Sequence, residues 1–229
     1  MKPATTPYRI LLAALMLCIA RPLLAKDASL KFEAMPYQSS VLVDGTSNVH
    51  NWDVKSISIG GSITFTADVP ADATPKQVRE AILAKPSAAA EVKIEVKSLE
   101  SGKKDKDMDK KMYEAMNADR VPTIQYQLKE LVLMEDTRAD QQVFDAWTSG
   151  TLTINNVARE LKMPMQLTVV DGQHLRISGK TALKMTDFKV KPPTALLGAI
   201  RSGDRIEVRF EWNVVRATPE PAVAAAAKK

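Results

Sequence analysis

The sequence reads Ile206-Glu-Val-Arg-Phe-Glu-Trp-Asn-Val214 near its C-terminal end, and this stretch gives the clearest structural signal in the 229 residues. Its apolar residues, Ile206, Val208, Phe210, Trp212 and Val214, alternate strictly with polar ones. Successive side chains of a β-strand point to opposite faces, so this period of two predicts a strand with one buried face and one face in water.

The same alternation recurs along most of the chain. It is found at 41–43, 57–67, 92–97, 124–128, 152–154, 161–169 and 175–177. Turn-forming pairs separate several of these runs: Gly60-Gly61, Asn155-Asn156 and Asp171-Gly172. About eight antiparallel strands with solvated outer faces predict a sandwich or a closed barrel. The chain has no Gly-rich phosphate loop and no strand–helix–strand pattern, which argues against a nucleotide-binding α/β fold.

Two helical segments interrupt the strands. Thr74-Pro75 is a typical cap and first-turn pair, and Val78 with Ile82 forms the apolar stripe of a helix that ends near residue 85.

The second helix is predicted over about residues 107–118, where Met108, Met112 and Met116 are spaced four apart. Two interpretations remain open: the helix closes one end of the barrel as ordinary core, or it is a lid over an apolar cavity. Apolar stripes of this kind are usually core, which favours the first interpretation. The argument for the lid is that flexible thioether side chains adapt to ligands of varied shape.

The first 25 residues have the features of a secretory signal peptide. Lys2 and Arg9 precede an apolar run of eleven residues at 10–20, and a Leu-Leu-Ala segment at 23–25 follows. The run is too short for the roughly 20 residues of a transmembrane helix, so we expect cleavage after Ala25 and a periplasmic location.

Removal of this segment changes the charge balance. The full chain has 32 basic and 27 acidic residues; without the three bases at 1–25 the excess falls from +5 to +2, and the single Cys18 is lost. A chain so close to neutral lacks the concentrated basic surface needed to bind nucleic acid.

Motifs for catalysis or metal binding are absent from the sequence. His50 and His174 are not part of an HExxH or similar pattern, and neither a GxSxG nor an SxxK motif occurs. We therefore expect neither an enzyme nor a metal or other cofactor. Paired carboxylates brought together by the fold would still permit an enzyme that acts on a lipid head group.

Two polar or low-complexity segments remain. The run at 103–111 mixes lysines and aspartates, which is typical of a solvated surface; the alternative is a patch that makes transient contact with a membrane surface. Residues 217–229 are rich in alanine and proline, and we expect a disordered tail.

Six segments, in their order and spacing, resemble the YceI-like family of exported bacterial proteins. They are 45–52 (GTSNVHNW), 112–116 (MYEAM) followed by 122–124 (PTI), 150–154 (GTLTI), 177–179 (ISG), 185–193 (MTDFKVKPP) and 203–210 (GDRIEVRF). The resemblance covers about residues 30–215. Relative to the common family pattern, the helix at about 74–84 looks like an insertion.

The resemblance implies an all-β domain over residues 26–216: an eight-stranded antiparallel, lipocalin-like barrel with one or two short helices. It also implies a carrier for one long-chain lipid, typically a polyisoprenoid such as a quinone tail or a prenyl pyrophosphate. A barrel of eight strands is either filled by its own side chains or holds one small ligand, and the residues leave this choice open.

Ten residues are the candidates for contact with such a ligand. They are His50, Trp52, Phe65, Met112, Met116, Met163, Met165, Phe188, Phe210 and Trp212. His50 is either an ordinary structural residue or a hydrogen-bonding partner for a polar head group. Lys184, Lys189 and Lys191 are similar candidates for an anionic head group, or are simply solvent-facing.

The main alternative function is a stress-related barrel that binds other proteins through its surface and holds no ligand. Exposed strand edges would also allow a homodimer.

Overall fold

The computed structural model describes residues 29–35, 37–102, 106–134 and 142–218. These residues form twelve β-strands and two α-helices. The strands are β1 (Leu30–Ala34), β2 (Ser40–Ser47), β3 (Asn51–Ser56), β4 (Ile59–Phe65), β5 (Ala88–Glu95), β6 (Glu100–Ser101), β7 (Thr123–Leu133), β8 (Val143–Ile154), β9 (Val157–Val169), β10 (His174–Lys184), β11 (Thr194–Ala195) and β12 (Ile200–Arg216). The helices are α1 (Pro75–Ala84) and α2 (Lys106–Ala115).

The strands close into an eight-stranded antiparallel barrel. β1 and β2 both pair with β12, β4 pairs with β1, and β3 pairs with β2, so β1–β2 and β3–β4 are two barrel strands with one interruption each. β5, continued by β6, follows as the third, and β7, β8, β9, β10 and β12 complete the ring. The predicted barrel is thus confirmed, and each of the eight predicted strand segments lies in a different strand of the ring.

The hairpin between β8 and β9 shows how local sequence sets the register. Asn155 and Asn156 both have positive φ angles, 50° and 59°, and they join the paired residues Ile154 and Val157. Asparagine tolerates this conformation, which matches the twist of the flanking strands in a two-residue turn. The predicted turn at this position is confirmed.

The turn predicted at Gly60-Gly61 is wrong. Both glycines lie inside β4 and pair with Lys93 and Val92 of β5. Gly61 has a φ of 119°, and a Cβ there would lie 1.9 Å from the Glu91 carbonyl oxygen. Gly61 therefore allows a close approach of two strands, a use of glycine that resembles a turn signal in sequence.

Both predicted helices are present, and α1 begins with the expected cap. The Thr74 hydroxyl accepts from the Gln77 backbone N–H while the Gln77 side chain accepts from the Thr74 N–H, which is a complete capping box. Val78 and Ile82 are fully buried. This helix packs over one end of the barrel.

The predicted signal peptide at 1–25, the lysines and aspartate at 103–105 and the part of the predicted tail beyond Thr218 lie outside the described residues. Within the described ranges, no helix is long and apolar enough to cross a membrane.

Candidate ligand-binding cavity

The barrel encloses a cavity of about 400 Å³. Small-molecule pockets in proteins typically measure about 300–1,000 Å³, so this space is large enough for a ligand. Inward residues of all eight barrel strands line it, and most of them are aliphatic, aromatic or methionine side chains. The interior is therefore not filled by its own side chains, which answers the question that the sequence left open.

One end of the cavity is closed by the hydrophobic core. Phe32 and Phe65 are fully buried there in an edge-to-face pair, with ring centroids 6.3 Å apart, and Val78 and Ile82 of α1 lie in the same apolar cluster. Phe65 packs into this core and does not line the cavity, contrary to its expected place in the lining. The physical reason is its position at the last residue of β4, below the level at which the barrel is open.

The other nine candidates line the cavity. They are His50, Trp52, Met112, Met116, Met163, Met165, Phe188, Phe210 and Trp212. They come from the three strands β3, β9 and β12, from α2, from the residues next to β3 and α2 (His50 and Met116), and from the short 3₁₀ turn Met185–Phe188. Their contact with a ligand remains a prediction, since the geometry shows only that they surround the same space.

Two of the aromatic rings pack against glycines. A Cβ at Gly45 would lie 2.1 Å from Cζ2 of Trp52, and a Cβ at Gly179 would lie 2.8 Å from Cζ of Phe210. The Trp52 ring is also fixed by its indole N–H, which donates to the Thr46 carbonyl at 3.0 Å. Because the glycines leave room for the rings against the wall, both aromatic side chains line the cavity without filling it.

Helix α2 lies at the mouth of the cavity. Met108, Met112 and Met116 line the cavity, and none of the three is fully buried. The Tyr113 hydroxyl holds the helix by donating to the Leu99 carbonyl at 2.7 Å. Burial raises the pKa of this hydroxyl, with smaller contributions from nearby carboxylates, of which Asp109 is the larger. The half-buried methionine face favours the lid interpretation over a fully packed core helix.

The rim of the mouth carries polar and charged side chains. Asp107, Lys111 and Lys184 are exposed residues of the cavity lining, and Asp107 is the only carboxylate among the described lining residues. His50 is also exposed, and its Nδ1 lies 2.9 Å from the Asn51 carbonyl oxygen. This gives His50 a structural contact and leaves its Nε2 outside that hydrogen bond.

The turn that carries Phe188 is held by Asp204. Thr186 donates to this carboxylate through its hydroxyl at 2.7 Å and through its backbone N–H at 2.9 Å. These two hydrogen bonds hold the pKa of Asp204 below its ordinary value. Lys189 and Lys191 follow the turn but do not line the cavity, whereas Lys184 does.

Part of the lining was not predicted from the sequence. The predicted residues are aromatic residues, methionines and His50, whereas β5 and β7 contribute Val92, Ile94, Ile124, Tyr126 and Leu128. Burial raises the pKa of Tyr126, and the Thr148 hydroxyl opposes that shift. The alternation within these strands was the available signal, because every inward residue at this level of a barrel faces the same space.

No cluster of three potential metal ligands occurs among the residues with described positions. The site is thus a closed antiparallel barrel with an apolar interior. A helix and the GTSNVHNW hairpin lie at its mouth.

A family model for the YceI-like domain matches residues 32–214. The chain belongs to the YceI-like family. The matched range runs from β1 into β12 and so spans all eight strands of the barrel.

Two solved structures share the YceI-like barrel. BcnA of Burkholderia cenocepacia is 16% identical and aligns over 81% of this chain and 99% of its own, with a TM-score of 0.57. A polyisoprenoid-binding domain from Saccharophagus degradans, implicated in plant cell wall breakdown, is 11% identical over 82% of this chain and 99% of its own, with a TM-score of 0.58. At these identities the likeness concerns the fold. A search of curated protein sequences found no match.

Proposed function

We propose that this YceI-like protein is a periplasmic carrier that holds one long-chain isoprenoid or similar lipid in the barrel. The apolar cavity of about 400 Å³, closed at one end and bordered by charged residues at the other, carries the proposal. A chain-shaped ligand needs a continuous apolar surface and a polar exit, and it needs no catalytic group.

The energetics of such a site are favourable. Each methylene removed from water contributes about 0.8 kcal/mol, so ten buried carbons contribute about 8 kcal/mol before the cost of association. Longer chains that extend toward the methionines of α2 bury more surface and bind more tightly. The polyisoprenoid-binding domain from Saccharophagus degradans supports an isoprenoid as the class of ligand.

The periplasmic location is supported by the signal-peptide features of residues 1–25. We propose binding and not catalysis, because the family and its structural neighbours favour a binding protein and the described lining offers a single carboxylate, Asp107. A barrel that binds proteins and has no ligand fits less well, since that role requires no cavity.

Organic extraction with mass spectrometry tests the proposal directly. Protein expressed from all 229 residues and purified without detergent is extracted, and we expect about one long-chain lipid per protein. An exported protein of similar size, purified in parallel, controls for lipid that adheres to any surface. Lipid-free protein that also fails to take up an added prenyl lipid contradicts the proposal.

A further inference from the structure

A small hairpin beside the mouth exposes two leucines to water. Thr194 and Ala195 of β11 pair with Arg201 and Ile200 of β12, and residues 196–199 form the connecting tip. At this tip Leu196 is 73% exposed and Leu197 is fully exposed. Contiguous exposed apolar patches of a few hundred Å² on soluble proteins often mark interaction sites.

The tip is held in place by specific hydrogen bonds. The Asn48 side chain donates to the Ala199 carbonyl and accepts from the Arg201 backbone N–H, each at 2.8 Å. The Arg201 Nε–H donates to the Gly198 carbonyl at 2.9 Å. These bonds join the tip to the β2–β3 hairpin, where the adjacent Val49 is 62% exposed. We call Val49, Leu196 and Leu197 together the apolar rim.

The backbone at the tip is itself unusual. Leu196 and Leu197 both have left-handed conformations, with φ angles of 48° and 56°. This region is sparsely populated by residues other than glycine and costs conformational energy. The hydrogen bonds from Asn48 and Arg201 maintain a strained turn whose side chains point away from the protein, an arrangement that core packing does not explain.

The chain segment that carries the two leucines of the apolar rim has a net positive charge. Residues 184–205 contain five bases, Lys184, Lys189, Lys191, Arg201 and Arg205, against the two acids Asp187 and Asp204. Apolar side chains that project from a basic surface are typical of a protein that lies on an anionic lipid interface.

We propose that the apolar rim is a docking surface for an anionic lipid bilayer. The two leucines and Val49 insert at the level of the head groups, and the surrounding lysines and arginines face lipid phosphates. Docking in this orientation brings the mouth of the cavity against the membrane. Membrane docking is distinct from ligand binding in the cavity, so it is tested with lipid vesicles and not with a cavity ligand.

The test is co-sedimentation with vesicles of phosphatidylglycerol and phosphatidylethanolamine, compared with pure phosphatidylcholine. Protein is expressed from all 229 residues, and its intact mass establishes whether residues 1–25 are present in every sample. We expect binding to the anionic vesicles that weakens as salt is raised. L196S/L197S is expected to weaken it at least about tenfold, and K189E/K191E to remove most of its salt dependence.

A matched control uses apolar residues exposed elsewhere on the barrel. Val132 and Val170 are 50% and 47% exposed and do not line the cavity, and V132S/V170S is expected to bind vesicles as the wild type does. Melting temperatures and lipid content of all variants verify that the fold and the cavity are intact.

Three outcomes overturn the proposal. In the first, wild-type protein fails to bind anionic vesicles. In the second, L196S/L197S binds them as tightly as the wild type does. In the third, V132S/V170S loses as much binding as L196S/L197S does. A fourth outcome, in which the wild type is a dimer and L196S/L197S is a monomer that still binds vesicles, assigns the apolar rim to a second copy of the chain.

Discussion

A larger side chain in the cavity wall should reduce ligand binding without lowering the stability of the ligand-free protein. Ala90 lies on the inner face of β5, where it lines the cavity and pairs with Ile63 of β4. Its neighbour Ala89 is exposed on the outer face of the same strand. The same substitution, alanine to phenylalanine, therefore points into the cavity at one position and into solvent at the next.

The size of the effect follows from the volume involved. Phenylalanine at residue 90 adds about six carbons to the interior, and excluding as many ligand carbons removes up to about 5 kcal/mol of binding energy at about 0.8 kcal/mol each. A chain can slide toward the mouth and recover part of this loss, so we expect affinity to fall at least about tenfold. Filling about 100 Å³ of empty cavity stabilises ligand-free protein by up to about 2 kcal/mol.

Ala90→Phe is thus expected to lose lipid while its ligand-free form melts at the same or a higher temperature. The assay combines extraction and mass spectrometry of purified protein with thermal melts of delipidated samples. Titration with the fluorescent probe 1-anilinonaphthalene-8-sulfonate measures the remaining apolar space. Ala89→Phe provides the control and is expected to retain the wild-type lipid content.

Equal lipid content in Ala90→Phe and the wild type would refute the reasoning, because it would place the ligand outside the barrel. Equal losses in both variants would also refute it. If Ala90→Phe does not fold, Leu161→Trp tests the same space from β9, since Leu161 also lines the cavity.

Three further predictions concern the mouth and the closed end. His50→Ala is expected to lower lipid retention if His50 contacts a head group; unchanged retention with a lower melting temperature would leave only its structural role. Asp204→Asn is expected to lower the melting temperature at neutral pH, and the difference from the wild type should shrink below about pH 4. The pKa of Asp204 is lowered in the folded protein, so this carboxylate stabilises the fold above the ordinary carboxyl pKa, and the stabilisation is lost as pH falls through the folded-state pKa. A difference in melting temperature between variant and wild type that stays constant down to pH 2 would contradict this. Ile82→Ala is expected to lower the free energy of unfolding by about 2–5 kcal/mol, because Ile82 is fully buried. Lipid retention measured well below the melting temperature should change little, because α1 does not line the cavity.

The strands of this protein were predictable because the side-chain period is a local property. The alternation from Ile206 to Val214 and the Asn155-Asn156 turn each fix their conformation through neighbours in sequence. The cap at Thr74 is equally local. Gly60-Gly61 shows the limit of such signals, because a close approach of two strands also requires glycine and depends on a partner 30 residues away.

The candidate site was predictable only in part. Alternation shows which residues face inward, and nine of the ten selected residues do line the cavity. It does not give the height of a residue along the barrel axis, and height separates Phe65 in the closed end from Ile63 in the cavity wall. The apolar rim gave no signal at all, since leucines in sequence normally predict burial.

The sequence by itself determined the class of fold, the eight strands and the apolar character of the interior, because each depends on the chemistry of residues close together in the chain. Tertiary structure alone decided that the interior is a cavity. Whether inward side chains fill a barrel depends on how strands distant in sequence set its width, and on Gly45 and Gly179 giving Trp52 and Phe210 room against the wall.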